Sequence, residues 1–171
     1  PTGIYTLSIP TGGGKTLASL RYALRHALIH GKERIVYIVP FTTIIEQNAA
    51  EIRKILQADD AILEHHSNIV EDLDMAEDDY DLRKKRLSLA RDNWDQPIIF
   101  TTLVQFLNTF YTKGTRNVRR LHRLSNAVLI FDEVQAVPIR CVSLFNAALN
   151  FLAVFGRTTS VLCTATQPAL D

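Results

Sequence analysis

Only two cysteines, Cys141 and Cys163, occur in 171 residues. Neither has the close spacing to a second ligand that zinc or dithiol chemistry needs, so both read as buried thiols in apolar surroundings. Seven glycines and six prolines are too few for a linker or a fibrous repeat. No run approaches the roughly 18 apolar residues that span a bilayer, and Pro1, Thr2 and Gly3 do not open a basic segment followed by an apolar one. A cytoplasmic protein with no membrane attachment is therefore expected. An excess of charge is missing too: 19 Lys and Arg against 18 Asp and Glu leave +1, so any contact with nucleic acid must come from a local display of positive charge.

The remainder is the composition of an ordinary globular domain, 47% apolar and 22% charged, and a chain of this length buries roughly 70% of its unfolded surface around one core. Ile4 to Ile9 reads as a short strand stopped by Pro10 and the glycines that follow. A helix is expected from about Gly14, with Leu17, Leu20, Leu24, Ala27 and Leu28 at helical spacing and Gly31 as its C-terminal cap. Arg34 to Val39 is an apolar, β-branched run of the kind found in interior parallel strands. A second helix follows, capped by Thr42 or Thr43, with Glu46 in its first turn and Ile45, Ala49, Ile52 and Leu56 on its apolar face.

Further strands are expected at Ala61 to Leu63, Ile98 to Phe100, Ala127 to Phe131 and Ser160 to Cys163. Helices carrying Leu103, Phe106, Leu107 and Phe110, then Val142, Phe145, Leu149 and Leu152, separate them, the first capped by Thr101 or Thr102. Between Glu71 and Asp81 seven of eleven residues are acidic, and Arg83 to Arg86 are all basic; this block reads as a solvated excursion outside the core. Strands alternating with helices define an α/β fold, a mostly parallel central sheet flanked by helices.

Ligands of such a sheet bind beyond the carboxyl ends of the strands. Thr11, Gly12, Gly13, Gly14, Lys15 and Thr16 occupy that place between the first strand and the first helix. Successive amides there can surround a phosphate, Lys15 can neutralise the outer phosphates, and the Thr16 hydroxyl can ligate magnesium. Ile9 stands where the common form of this loop begins with glycine. Asp132, at the end of the Ala127 to Phe131 strand, can add the one carboxylate that a phosphate-bound magnesium takes, and Glu133 can direct the water that attacks the γ-phosphate of ATP. The plainer alternatives are a glycine-rich turn and two solvated acids closing a strand. His65 and His66 point in opposite directions on a strand with no complementary ligands around them in sequence, which favours packing over metal binding.

These motifs, in this order, resemble superfamily 2 helicases, and most closely the helicase region of the CRISPR-associated helicase-nuclease. Ile9 to Thr16 resembles the family's first motif, Asp132-Glu133-Val134-Gln135 its second, and Thr164-Ala165-Thr166 its third. The resemblance implies a RecA-like P-loop domain, residues 1 to 171, that is the first lobe of a larger motor, with the third-motif strand between the strands of the first and second motifs. It implies ATP and magnesium as ligands and translocation on single-stranded DNA. The partners implied are a second RecA-like lobe with arginine fingers, an HD nuclease domain or subunit, and an RNA-guided CRISPR surveillance complex. Carried over, Gln135, Thr164 and Thr166 couple nucleotide state to movement, while Pro40, Thr42, Thr101, Thr102 and Gln105 touch the nucleic-acid backbone. Lys113, Arg116, Arg119, Arg120 and Arg123 are candidates for a positive surface nearby. Two other classes remain open on the sequence: a nucleotide-responsive binding module without catalysis, and a small-molecule P-loop kinase.

Overall fold

The computed structural model describes residues 2–10, 14–65 and 93–166. The charged block from Glu71 to Arg86, His66, and the loop residues Thr11, Gly12 and Gly13 lie outside the described residues. Among the described residues six strands form one sheet: β1 (Gly3–Pro10), β2 (Arg34–Val39), β3 (Ile62–His65), β4 (Ile98–Thr102), β5 (Ala127–Phe131) and β6 (Thr159–Thr166). Their spatial order is β1-β6-β5-β2-β4-β3, and every pairing is parallel. All carboxyl ends therefore share one edge. β6 lies between β1 and β5, the position that the resemblance implies for the third motif.

Alternation along the strands divides the core between two faces. Ile35, Tyr37 and Val39 point to one, where α1 (Lys15–His30) and α2 (Thr42–Leu56) cover them with Leu20, Ala23, Ile45, Ala49 and Ile52. Val36 and Ile38 point to the other, under α3 (Leu103–Tyr111), α4 (Thr115–Leu124) and α5 (Val142–Val154). There Phe106, Phe131 and Phe145 meet edge to face, with centroids 5.0 to 6.3 Å apart. Two-sided burial explains why these strands read as continuous apolar runs.

The structure corrects several sequence expectations. On α1 the buried residues are Ser19, Leu20, Ala23 and His26, while Leu17, Leu24 and Leu28 face outward. Small residues at 19 and 23 let the helix approach the sheet closely, so it rolls away from the leucine stripe. α2 takes Phe41 as its N-cap without a side-chain hydrogen bond, and Thr42 is already helical, so Glu46 falls beyond the first turn. Thr102 does cap α3, its hydroxyl accepting from the Gln105 amide at 3.3 Å. Cys163 is buried, whereas Cys141 is only partly so.

Three arginines of α4 make contacts with the segment before β4. Arg120 is buried with its guanidinium 5.5 Å from the Trp94 ring centroid, Arg123 pairs with Asp95, and Arg119 donates to Asn93 at 3.1 Å. The Arg123 carbonyl accepts from Arg34, the first residue of β2, at 3.5 Å. This anchors the end of α4 at the amino edge of the sheet, opposite the edge where ligands of such folds bind. His65 likewise serves packing, edge-on to Trp94 at 5.6 Å and 3.4 Å from the Thr101 hydroxyl.

On the far side of α1, the buried ring of His26 hydrogen-bonds Thr159 at 3.0 Å, with its centroid 4.3 Å from His30 and 5.6 Å from Tyr22. Burial first, then the charges of His30 and Lys32, hold its pKa below the ordinary histidine value. The unfolded chain therefore binds the extra proton more readily than the fold does, and the contribution to stability is complete above about pH 6.5 and is lost as pH falls below it. Urea midpoints compared at pH 7.5 and 5.5 should show a larger loss in the parent than in His26→Gln; equal losses would place the acid sensitivity elsewhere.

Candidate functional site

Gly14 caps α1 in the left-handed region at φ 67°, ψ 38°. A Cβ there would meet nothing within 4 Å, so the demand for glycine is conformational, not spatial. This conformation starts the helix at Lys15 and places Lys15 and Thr16 in its first turn. From β5, which β6 separates from β1, the chain runs directly into Asp132, whose amide donates to the Ile38 carbonyl at 2.9 Å and so remains tied to β2. Glu133 then adopts φ 52°, ψ 48°. A left-handed conformation costs a residue with a side chain roughly 1–2 kcal/mol, and such outliers concentrate at functional sites. The Glu133 amide donates to Asp132 Oδ1 at 2.9 Å, closing a tight turn that turns the two carboxylates toward α1.

These two segments, 117 positions apart between Lys15 and Asp132, meet through one ammonium. Lys15 Nζ lies 2.8 Å from Asp132 Oδ1 and also pairs with Glu133 Oε1. The Asp132 side chain is 6% exposed, Lys15 16% and Glu133 32%, so the outermost carboxylate is the one open to solvent. Burial is the largest single influence on Lys15 and opposes its charge, but hydrogen bonds and charge from Asp132 and Glu133 outweigh it and raise its pKa. The ammonium stays charged and offsets two neighbouring carboxylates that would otherwise repel each other. Gln135 donates its side-chain amide to Glu133 Oε2, which fixes the glutamate from the side opposite Lys15.

β6 brings the third motif to the same edge. Ser8 and Thr164 are register partners, and their hydroxyl oxygens lie 3.4 Å apart. Beneath the site lies buried Cys163, whose thiol is pushed up to about 12 by burial and then by the charge of Asp132, leaving it protonated and unreactive. Pro40 and Thr42 sit at the end of β2, and Thr101, Thr102 and Gln105 at the end of β4. Thr101 is fully buried, and the Thr102 hydroxyl is committed to capping α3. Two polar residues escaped the sequence reading: Ser19, which reads as a helix filler, and Tyr37, which reads as one more apolar position in a strand. Both are fully buried, their hydroxyl oxygens 3.2 Å apart, and Ser19 donates to the Thr16 carbonyl at 3.0 Å.

A parallel sheet of this order flanked by helices, with Gly14 opening a helix that carries Lys15 and Thr16 and one strand ending in Asp132 and Glu133, defines a RecA-like α/β domain. The chain belongs to the DEAD/DEAH box helicase family, whose model matches residues 4–171, and within superfamily 2 it is related to the CRISPR-associated Cas3 proteins. It is 31% identical to the CRISPR-associated nuclease/helicase Cas3 of Haloferax volcanii over 185 aligned positions, covering 98% of this chain and 19% of that protein. The fold matches T. fusca Cas3-ADP with a TM-score of 0.74 at 21% identity, over 96% of this chain and 19% of that one. It also matches the UvsW helicase from bacteriophage T4 with a TM-score of 0.57 at 19% identity, over 93% and 46%. The chain thus spans about a fifth of the length of the curated Cas3 relative. Among the described residues no helix is long and apolar enough to cross a membrane.

Proposed function

We propose that this chain is the first, ATP-binding RecA-like lobe of a DNA-dependent helicase that acts on single-stranded DNA in CRISPR interference. The observation that carries the reading is the convergence of Lys15, Asp132 and Glu133 at one edge of the sheet, with Thr16 beside them. A hydroxyl and one carboxylate, Thr16 and Asp132, suit magnesium, which keeps several waters and takes few protein ligands. When held by Thr16 and Asp132, magnesium would offset the negative charge of the phosphates.

The protein's own groups do the rest. Amides of residues 12–14 and of the start of α1 hold the phosphates, together with the Thr11 segment that precedes them. Lys15 exchanges its carboxylate partners for phosphate oxygens, which leaves Glu133 free to accept a proton from, or orient, the attacking water. Gln135 keeps that carboxylate in place, and Thr164 and Thr166 transmit changes at the site along β6 toward β1. The helix starts at Thr42 and Leu103 present amides beside Pro40, Thr101, Thr102 and Gln105, a suitable track for backbone phosphates. The similarity to Cas3 supports a second RecA-like lobe, an HD nuclease and an RNA-guided surveillance complex as partners.

Calorimetry with ATP and magnesium tests the site. Lys15→Ala should weaken binding by about tenfold to a hundredfold, the loss expected for a hydrogen bond to a charged group. Because Lys15 also neutralises Asp132 and Glu133, thermal melts must accompany the titration, and Thr16→Val provides a second variant that leaves those ion pairs alone. Parent-like affinity in both folded variants would overturn the assignment.

A further inference from the structure

A surface helix usually carries its apolar stripe on one face, the face turned to the core. α1 carries apolar side chains on two. Its inner face, with Ser19, Leu20, Ala23 and His26, covers the sheet, yet Leu17, Leu24 and Leu28 continue on the outer face, and Leu28 is 85% exposed. Together with Ile55 and Leu56 in the last turn of α2 they wall an open groove of about 530 Å³. Leu20 and Leu56 tie its floor to the core beneath. Apolar walls around a space many times the volume of one water, roughly 30 Å³, favour an apolar occupant over solvent.

Shape and charge define that occupant. The groove follows α1 from Leu17 to Leu28, roughly 16 Å or three helical turns. An extended strand laid there would leave backbone donors and acceptors against leucine, whereas a helix satisfies its own, and the ridge of one helix fits the groove beside another. Among the described residues the charged side chains of the lining are Arg21 and Arg25, and neither forms an ion pair with a carboxylate there. A second copy using the same face would set arginine against arginine.

We infer that this groove is the docking site for an acidic amphipathic helix of a partner protein, its apolar stripe seated between Leu17, Leu24, Leu28 and Ile55 and its carboxylates paired with Arg21 and Arg25. α1 is then a middle layer between the sheet and the partner, which accounts for leucine on the side of the helix that otherwise meets water. None of these residues belongs to the nucleotide site, so the inference is independent of that reading.

Fluorescence anisotropy on the 171-residue chain tests the docking site with two labelled helical peptides of about 15 residues, a little longer than the groove. They share one leucine stripe and differ only in the residues flanking it, glutamate in one and lysine in the other. The glutamate peptide should bind roughly fivefold to tenfold more tightly, with the gap narrowing as salt rises. Leu24→Ser combined with Leu28→Ser should weaken its binding about tenfold or more, and Arg21→Glu combined with Arg25→Glu should reverse the preference. All four side chains are exposed, so thermal melts of both variants should stay parental. Equal binding of the two peptides, binding that survives the leucine substitutions, or no binding of either would overturn the inference. A dimer in sedimentation that the leucine substitutions dissolve would overturn it in favour of a second copy. Loss of peptide binding when the chain is extended through a second RecA-like lobe would overturn it in favour of the protein's own chain.

Discussion

Glu133→Gln, in a chain extended through a second RecA-like lobe, should bind ATP and magnesium as the parent does yet release phosphate about 10² to 10⁴ times more slowly. The asymmetry follows from burial and partners. Asp132 is nearly enclosed and tied to β2 through its amide, so it suits a fixed metal ligand. Glu133 is a third exposed, sits on a left-handed turn and is bracketed by Lys15 and Gln135, so it is the carboxylate able to meet a water. Glutamine keeps the shape and the contact with Gln135 but loses the proton acceptor. Undiminished turnover in the folded variant would remove Glu133 from the reaction; a matching loss of ATP affinity would make it a binding residue instead.

Extension through that second lobe should itself raise phosphate release by roughly 10³ to 10⁵, the contribution of an arginine delivered across a closing interface, and single-stranded DNA should raise it further. The described site has its cation, Lys15, already between two carboxylates, so the charge that develops on the transferred phosphoryl group calls for a second cation from outside this sheet. The 171-residue chain alone should bind ATP and turn it over slowly. Rapid, DNA-independent turnover by that chain would overturn the half-motor reading, and binding with no turnover even after extension would favour a nucleotide-responsive module without catalysis.

Much of this site was legible before any coordinates. Local chemistry dictates it: glycine before Lys-Thr needs a left-handed turn that then starts a helix, and an apolar run such as Ala127 to Phe131 forms a strand whose end must deliver whatever follows, here Asp132 and Glu133. The strand segments and the parallel sheet follow from the same two-sided apolar pattern. The place of β6 between β1 and β5 came from resemblance, since periodicity carries no information about the neighbours of a strand.

Tertiary contact decided the remainder. The leucines at 17, 24 and 28 promise a buried face, yet Ser19 and Ala23 let α1 pack closer and turn that face outward. The arginines of α4 look like a phosphate-binding surface until Trp94 and Asp95, some 25 residues earlier in the chain, claim two of them. The reach of the Tyr37 hydroxyl to Ser19, at 3.2 Å, has no signature in sequence either. Motifs follow from local backbone geometry and side-chain type, which neighbouring residues specify; helix roll and the partners of buried hydroxyls and guanidinium groups depend on packing between segments far apart in the chain, which no local pattern encodes.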